Sequence, residues 1–222
     1  GKTFVGAAAL TLEAEGRLDP DAPVAETLGG LAWFSRLPNA ETITSRQLLT
    51  HTSGLPDHVH LPAFQQAVSR QWRKKENPFT PEVLTGFVLD RPALSAPGER
   101  WSYSDTGYVL LGMVLEQAAR EPFTSMVEDR FLKPLGLRDT SPSDRRHLPG
   151  LVPGYTRKEN PFGFPVRSTY IQGRMRWHPG LENLGGGWVT TSGDLVRWGH
   201  ALFAGEALPE SARPALRRTV AT

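Results

Sequence analysis

Trp101-Ser102-Tyr103-Ser104-Asp105-Thr106-Gly107-Tyr108 leads directly into a strongly apolar stretch ending at Arg120. Over 106–120, Tyr108, Leu111, Leu115 and Ala118 recur at three- and four-residue steps, which is the spacing of a buried helix face. Working outward, Phe4 to Leu12 is almost wholly apolar and alanine-rich and is followed by Gly16. A helix with a glycine near its end fits this better than a strand, because alanine favours helix and glycine tolerates the left-handed turn. Leu18 to Pro23 reads as a turn-rich link, since its prolines stop regular structure. Thr44 to Leu49 reads as a short helix capped by Thr44 or Ser45, and His51 to Pro56 as loop. Two helices are expected within 60–95, separated by Asn77-Pro78-Phe79-Thr80-Pro81, with Thr80 as cap and Pro81 in the first helical position. A helix from Pro122 ends before Pro134-Leu135-Gly136. The segment 141–180 reads as loop with short strands around Val166 to Ile171. Gly185-Gly186-Gly187 reads as a tight turn into a strand. A last helix spans Ser192 to Phe203, with Ser192 as cap and Asp194 in its first turn. Helix dominates and strands are few.

Composition narrows the classes. The chain has 222 residues, of which 39% are hydrophobic and 22% charged, enough for a sizeable core. A formal charge of +2 is too small to argue for nucleic acid. No apolar run reaches the ~18 residues a membrane helix needs. The sequence holds no cysteine, which excludes disulfides, thiolate nucleophiles and cysteine-ligated metals. Gly1 to Gly6 lacks the basic-then-apolar pattern of a secretory signal and reads like the interior of a helix.

Four segments, in order, carry a resemblance. Leu48-Leu49-Thr50-His51-Thr52-Ser53-Gly54-Leu55-Pro56, Trp101 to Tyr108, Phe131-Leu132-Lys133-Pro134-Leu135-Gly136-Leu137 with Thr140, and Gly186-Gly187-Trp188-Val189-Thr190-Thr191-Ser192-Gly193-Asp194-Leu195 resemble stretches of the class C β-lactamase, penicillin-binding D,D-peptidase and esterase family. Lys2-Thr3-Phe4-Val5-Gly6 is similar to the segment that holds that family's catalytic lysine. The resemblance implies an α+β, β-lactamase/D,D-peptidase-like fold. Residues 1–222 would be a single domain, incomplete at both ends and mainly the helical middle, with much of the antiparallel sheet outside it.

The family's chemistry begins at S-x-x-K, where Ser and Lys stack on one helical face. None of the serines here has a lysine three residues later, so the nucleophile is expected three residues before Lys2, upstream of Gly1. The resemblance makes Lys2 the general base and Tyr103 its partner in moving protons. A phenol titrates ordinarily near 10, so a neighbouring lysine must stabilise its anion for that role. Asp105 departs from the pattern, which usually has asparagine there. A carboxylate only accepts hydrogen bonds. Near Lys2 it favours the ammonium, and it makes a poorer grip for a β-lactam or peptide than for a simple ester or a substrate with a cationic amine. The oxyanion hole would use backbone N–H groups at the serine and on a later strand that carries the family's K-T-G or H-T-G motif.

Other signals are weaker. Asp57, His58 and His60 have the donor types of a zinc site, but no third histidine stands nearby in sequence, and a polar loop explains them. His51 reads as structural within its segment. Arg70, Arg73, Lys74 and Lys75 around Trp72 read as a solvated helix face. The expected function is serine acyl hydrolysis through an acyl-enzyme on an ester, β-lactam or D-amino-acid peptide, with no cofactor, metal, nucleic-acid partner or membrane span. The alternative is a non-catalytic, penicillin-binding-like module for a ligand or partner. The resemblance suggests an exported bacterial protein, and the sequence leaves the oligomeric state open.

Overall fold

A computed structural model describes residues 1–71, 74, 79–164, 170–171 and 174–218. Nine helices are described: α1 (Lys2–Ala14), α2 (Ala25–Leu28), α3 (Ser45–Leu49), α4 (Pro62–Gln71), α5 (Pro81–Gly86), α6 (Asp105–Ala119), α7 (Phe123–Val127), α8 (Ser192–Ala204) and α9 (Arg213–Leu216). The described strands are short. β1 (Ser141–Pro142) pairs antiparallel with β4 (Trp188–Val189), and β2 (Tyr170–Ile171) with β3 (Arg174–Met175). As the sequence indicates, helix dominates. Of the expected strand around Val166 to Ile171, Val166 to Thr169 lie outside the described residues, as do Trp72, Arg73 and Lys75 of the basic cluster.

α1 and α6 form the centre. α1 buries Phe4, Val5, Ala7, Ala8, Ala9 and Leu12, and its small alanines let α6 pack close against it. It ends as the sequence indicates. Gly16 turns left-handed at φ +68°, so the Arg17 N–H reaches Leu12 O at 2.9 Å and the Gly16 N–H reaches Glu13 O at 3.0 Å. Those two bonds satisfy carbonyls that the helix end would orphan. Burying each Leu or Phe in such a core stabilises by about 1.5–3 kcal/mol.

α6 is buried on nearly all sides, from Thr106 to Leu115 with little interruption. Ser104 caps it by accepting from the Gly107 N–H at 3.2 Å. Gly112 lets another segment lie on its surface: a Cβ there would stand 1.9 Å from Leu184 Cδ1. Leu184 belongs to the 3-10 segment Pro179–Gly185, kinked at Asn183 with φ +42°. α3 and α5 are capped as read, by Thr44 in a full capping box with Gln47 and by Thr80 with Pro81 in the first turn. α8 corrects the sequence reading by one residue. Thr191, not Ser192, caps it, because the extended Thr191 hydroxyl accepts from the Asp194 N–H while Ser192 is already helical. The helix from Pro122 also differs in kind: α7 runs into a π-helical turn, Glu128–Leu132.

Candidate active site

Lys2 stands in the first turn of α1, and its neighbours are fixed from α8. The Trp198 indole N–H donates to Thr3 Oγ1 at 2.9 Å. Phe4 packs with ring centroids 4.3 Å from Trp198 and 5.0 Å from Trp188. This aromatic cluster sets where the helix start lies, and with it the lysine.

Tyr103 and Asp105 reach the same place from the loop into α6. Lys2 Nζ lies 2.5 Å from Asp105 Oδ1 and also donates to the Gly185 carbonyl. The Tyr103 hydroxyl donates to the same Asp105 oxygen at 3.1 Å. Lys2 Nζ is 5.2 Å and 5.1 Å from the ring centroids of Tyr103 and Tyr108, close enough for both faces to favour a cation. The three residues singled out in the sequence therefore meet, although Lys2 and Asp105 are 103 positions apart.

His51 supports this group. Its φ is +57°, a left-handed conformation that non-glycine residues seldom adopt. The ring packs on Tyr103 at 4.5 Å and on Tyr108 at 5.0 Å. The Ser104 N–H donates to His51 Nδ1 at 3.2 Å. Burial, then the charge on Lys2, pushes the imidazole below its ordinary value, so it is neutral and able to accept that bond.

The electrostatics follow from one shared carboxylate. Burial on its own would lower the Lys2 pKa, but hydrogen bonds to Asp105 and Tyr103 outweigh it and the ammonium is favoured beyond its ordinary value. Burial raises the Tyr103 phenol, and Lys2 offsets this only in part. Around neutral pH the arrangement is an ammonium and a neutral phenol held by one carboxylate. The ion pair with Asp105 opposes any loss of a proton from Lys2.

Two positions that the sequence did not signal also belong here. Gly185 supplies its carbonyl to Lys2, and Glu182 stands beside Asp105 at a cavity of about 180 Å³. Both come from the 3-10 segment on α6, whose placement depends on the Gly112–Leu184 contact. No local pattern announces them. A larger cavity of about 370 Å³, bordered by Glu116, Phe123, Leu184 and Trp188, touches none of Lys2, Tyr103 or Asp105. His58 is buried, with Nδ1 3.0 Å from Thr106 Oγ1. His60 is exposed, its Nε2 3.7 Å from Asp57 Oδ2. Among the described residues, no three His, Cys, Asp or Glu side chains are disposed to hold a metal ion, and no helix is long and apolar enough to cross a membrane.

The structure superposes on a D-stereospecific amidohydrolase from Streptomyces sp. with a TM-score of 0.85 and 33% identity, over 99% of this chain and 63% of that one. It superposes on the D-amino acid amidase from Ochrobactrum anthropi SV3 with a TM-score of 0.72 and 26% identity, over 96% of this chain and 56% of that one. Protein flp of Staphylococcus aureus (strain MW2) is 30% identical over 140 residues, which are 63% of this chain and 26% of flp. The chain thus corresponds to under two thirds of each relative. The Beta-lactamase family model matches residues 1–222, and the chain belongs to the beta-lactamase family.

Proposed function

We propose that the protein is a serine acyl hydrolase working through an acyl-enzyme, with residues 1–222 part of one catalytic domain. The nucleophile is a serine three residues before Lys2 in the full-length protein. Its oxygen attacks the substrate carbonyl and forms the acyl bond, while its proton passes to the neutral Lys2 amine. Tyr103 passes a proton to the departing amine or alkoxide. Water then attacks the acyl-enzyme, releasing the acid and restoring the serine. The observation that carries this reading is the meeting of Lys2, Tyr103 and Asp105 at the start of a buried helix. The fold and the amidases it resembles support it. Asp105 favours esters and D-amino-acid amides with a free amine over β-lactams and acylated peptides, because its carboxylate offers no N–H to an acylamino carbonyl.

The Lys2–Asp105 ion pair also supports a second reading, a module that binds such ligands without turning them over. Brief exposure of the full-length protein to an activated acyl ester, followed by intact mass and peptide mapping, separates the two. The hydrolase acquires one acyl group just before Lys2, and Lys2→Ala slows its appearance by roughly 10²- to 10⁴-fold. A protein that acquires none is the binding module.

A further inference from the structure

Tyr103 has little of its own to hold it in place. It lies in a stretch, 101–104, that is neither helix nor strand, and it is 41% exposed. Its hydroxyl reaches Asp105 Oδ1 at 3.1 Å, but a half-exposed phenol on a loop stays there only if its backbone and ring are fixed. His51 fixes both. Its carbonyl accepts from the Ser102 N–H at 2.8 Å, and its Nδ1 accepts from the Ser104 N–H at 3.2 Å. One residue thus grips the chain immediately before and immediately after Tyr103. The His51 ring packs on the tyrosine at 4.5 Å with 31° between planes. His51 is anchored in turn at the end of α3, where the Thr52 N–H reaches Gln47 O at 2.9 Å. Its left-handed backbone, φ +57°, is a costly conformation for a residue other than glycine, and such conformations gather at functional sites.

We infer that His51 is a positioning residue for proton transfer, holding the Tyr103 phenol on the Lys2–Asp105 pair through its grip on Ser102 and Ser104. The inference rests on the acyl-hydrolase reading for the step that Tyr103 serves, delivery of a proton to the departing group. The ring must be neutral to do this, because an imidazolium has no lone pair at Nδ1 to accept with. Acceptor and ring can be separated by substitution. Asparagine tolerates the left-handed backbone and carries its side-chain oxygen one bond from Cγ, as histidine carries Nδ1. His51→Asn therefore keeps the acceptor without the ring, and His51→Phe keeps a ring without the acceptor.

The test compares kcat/KM of the full-length protein on D-alanine methyl ester and D-alanine 4-nitrophenyl ester. Methoxide needs a proton in order to leave, whereas 4-nitrophenolate is a weak base and leaves without one. His51→Phe should slow the methyl ester about 10- to 100-fold and the nitrophenyl ester less than about threefold. His51→Asn should recover most of that loss. In a Tyr103→Phe background, His51→Phe should add little, because the two residues act through one step. Equal losses on the two esters, or the same loss with and without Tyr103, overturn the assignment. Amide hydrogen exchange reads the grip apart from activity. The Ser104 N–H should be protected in the parent and exchange at least about tenfold faster in His51→Phe but not in His51→Asn. A Ser104 N–H that exchanges freely in the parent, or at an unchanged rate in His51→Phe, overturns the grip, and the parent measurement stands even if no variant folds. Protection of Ser104 in a parent that turns over neither ester keeps the grip on Tyr103 and removes the hydrolase reading.

Discussion

Asp105 accepts from Lys2 and Tyr103 through a single oxygen, and so fixes the protonation of both. Hydrogen bonding to the carboxylate stabilises the ammonium and opposes the desolvation that would otherwise free the amine. Asp105→Asn removes the charge and leaves the burial. The Lys2 pKa should then fall, and the pH at which kcat/KM rises as the amine becomes neutral should move to lower pH. At pH 7, turnover of an uncharged acyl amide should increase on the order of tenfold. A pH–rate profile of the full-length protein and its variant measures this. An unmoved limb with no gain on acyl amides would mean that Asp105 does not govern the base.

At the scale of elements, the attachment of α8 decides how the helix start beneath Lys2 is held. Asp194 is 1% exposed and acts as a staple. Its Oδ2 accepts from the Asp139 N–H at 2.8 Å and from the Thr140 hydroxyl at 2.9 Å, and its Oδ1 accepts from Arg197 Nη1 at 2.7 Å. The bonds from Asp139 and Thr140 tie α8 to the chain entering β1, beside the β1–β4 ladder. Asp194→Ala leaves buried donors without acceptors, and at ~1–3 kcal/mol for each such group the protein should lose about 2–5 kcal/mol. Urea denaturation measures the loss. Asp194→Asn, which keeps an acceptor oxygen, should lose less. A drop below ~1 kcal/mol in the alanine variant would mean that the staple is replaced by water.

For the molecule as a whole, the main core around α1 and α6 adjoins a smaller aromatic one holding Phe64, Val68, Phe79, Leu84, Val109 and Phe164. His58 lies against the smaller core at 2% exposure. Burial lowers its pKa to about 4 from an ordinary 6.5. The folded protein therefore keeps His58 neutral where the unfolded chain protonates it. Its contribution to stability is full above about pH 6.5 and is lost as pH falls toward 4, reaching roughly 3 kcal/mol in all. Asp57, whose carboxyl burial raises, acts in the opposite sense. The direct comparison is therefore between the parent protein and His58→Asn. Between pH 7 and pH 5 the parent should lose about 2 kcal/mol more than the variant, and equal slopes would place the acid sensitivity elsewhere.

The sequence by itself determined most of the helices and singled out the three residues that meet at the candidate site. Local signals suffice there: an alanine-rich run with a glycine stop for α1, threonine caps for α3 and α5, and apolar spacing for α6. Lys2, Tyr103 and Asp105 lie in segments whose residue order is distinctive without any knowledge of contacts. Their meeting, and the Lys2–Asp105 pair that favours the ammonium, required helices far apart in the chain to pack. Only the tertiary structure placed Glu182 and the Gly185 carbonyl at the site. They sit on a kinked 3-10 segment held by a glycine on α6, and a contact of that kind leaves no periodic trace in sequence. The Thr191 cap differed from the Ser192 reading for a related reason. Adjacent Thr and Ser are both good caps, and the packing of α8 through Asp194 selects between them.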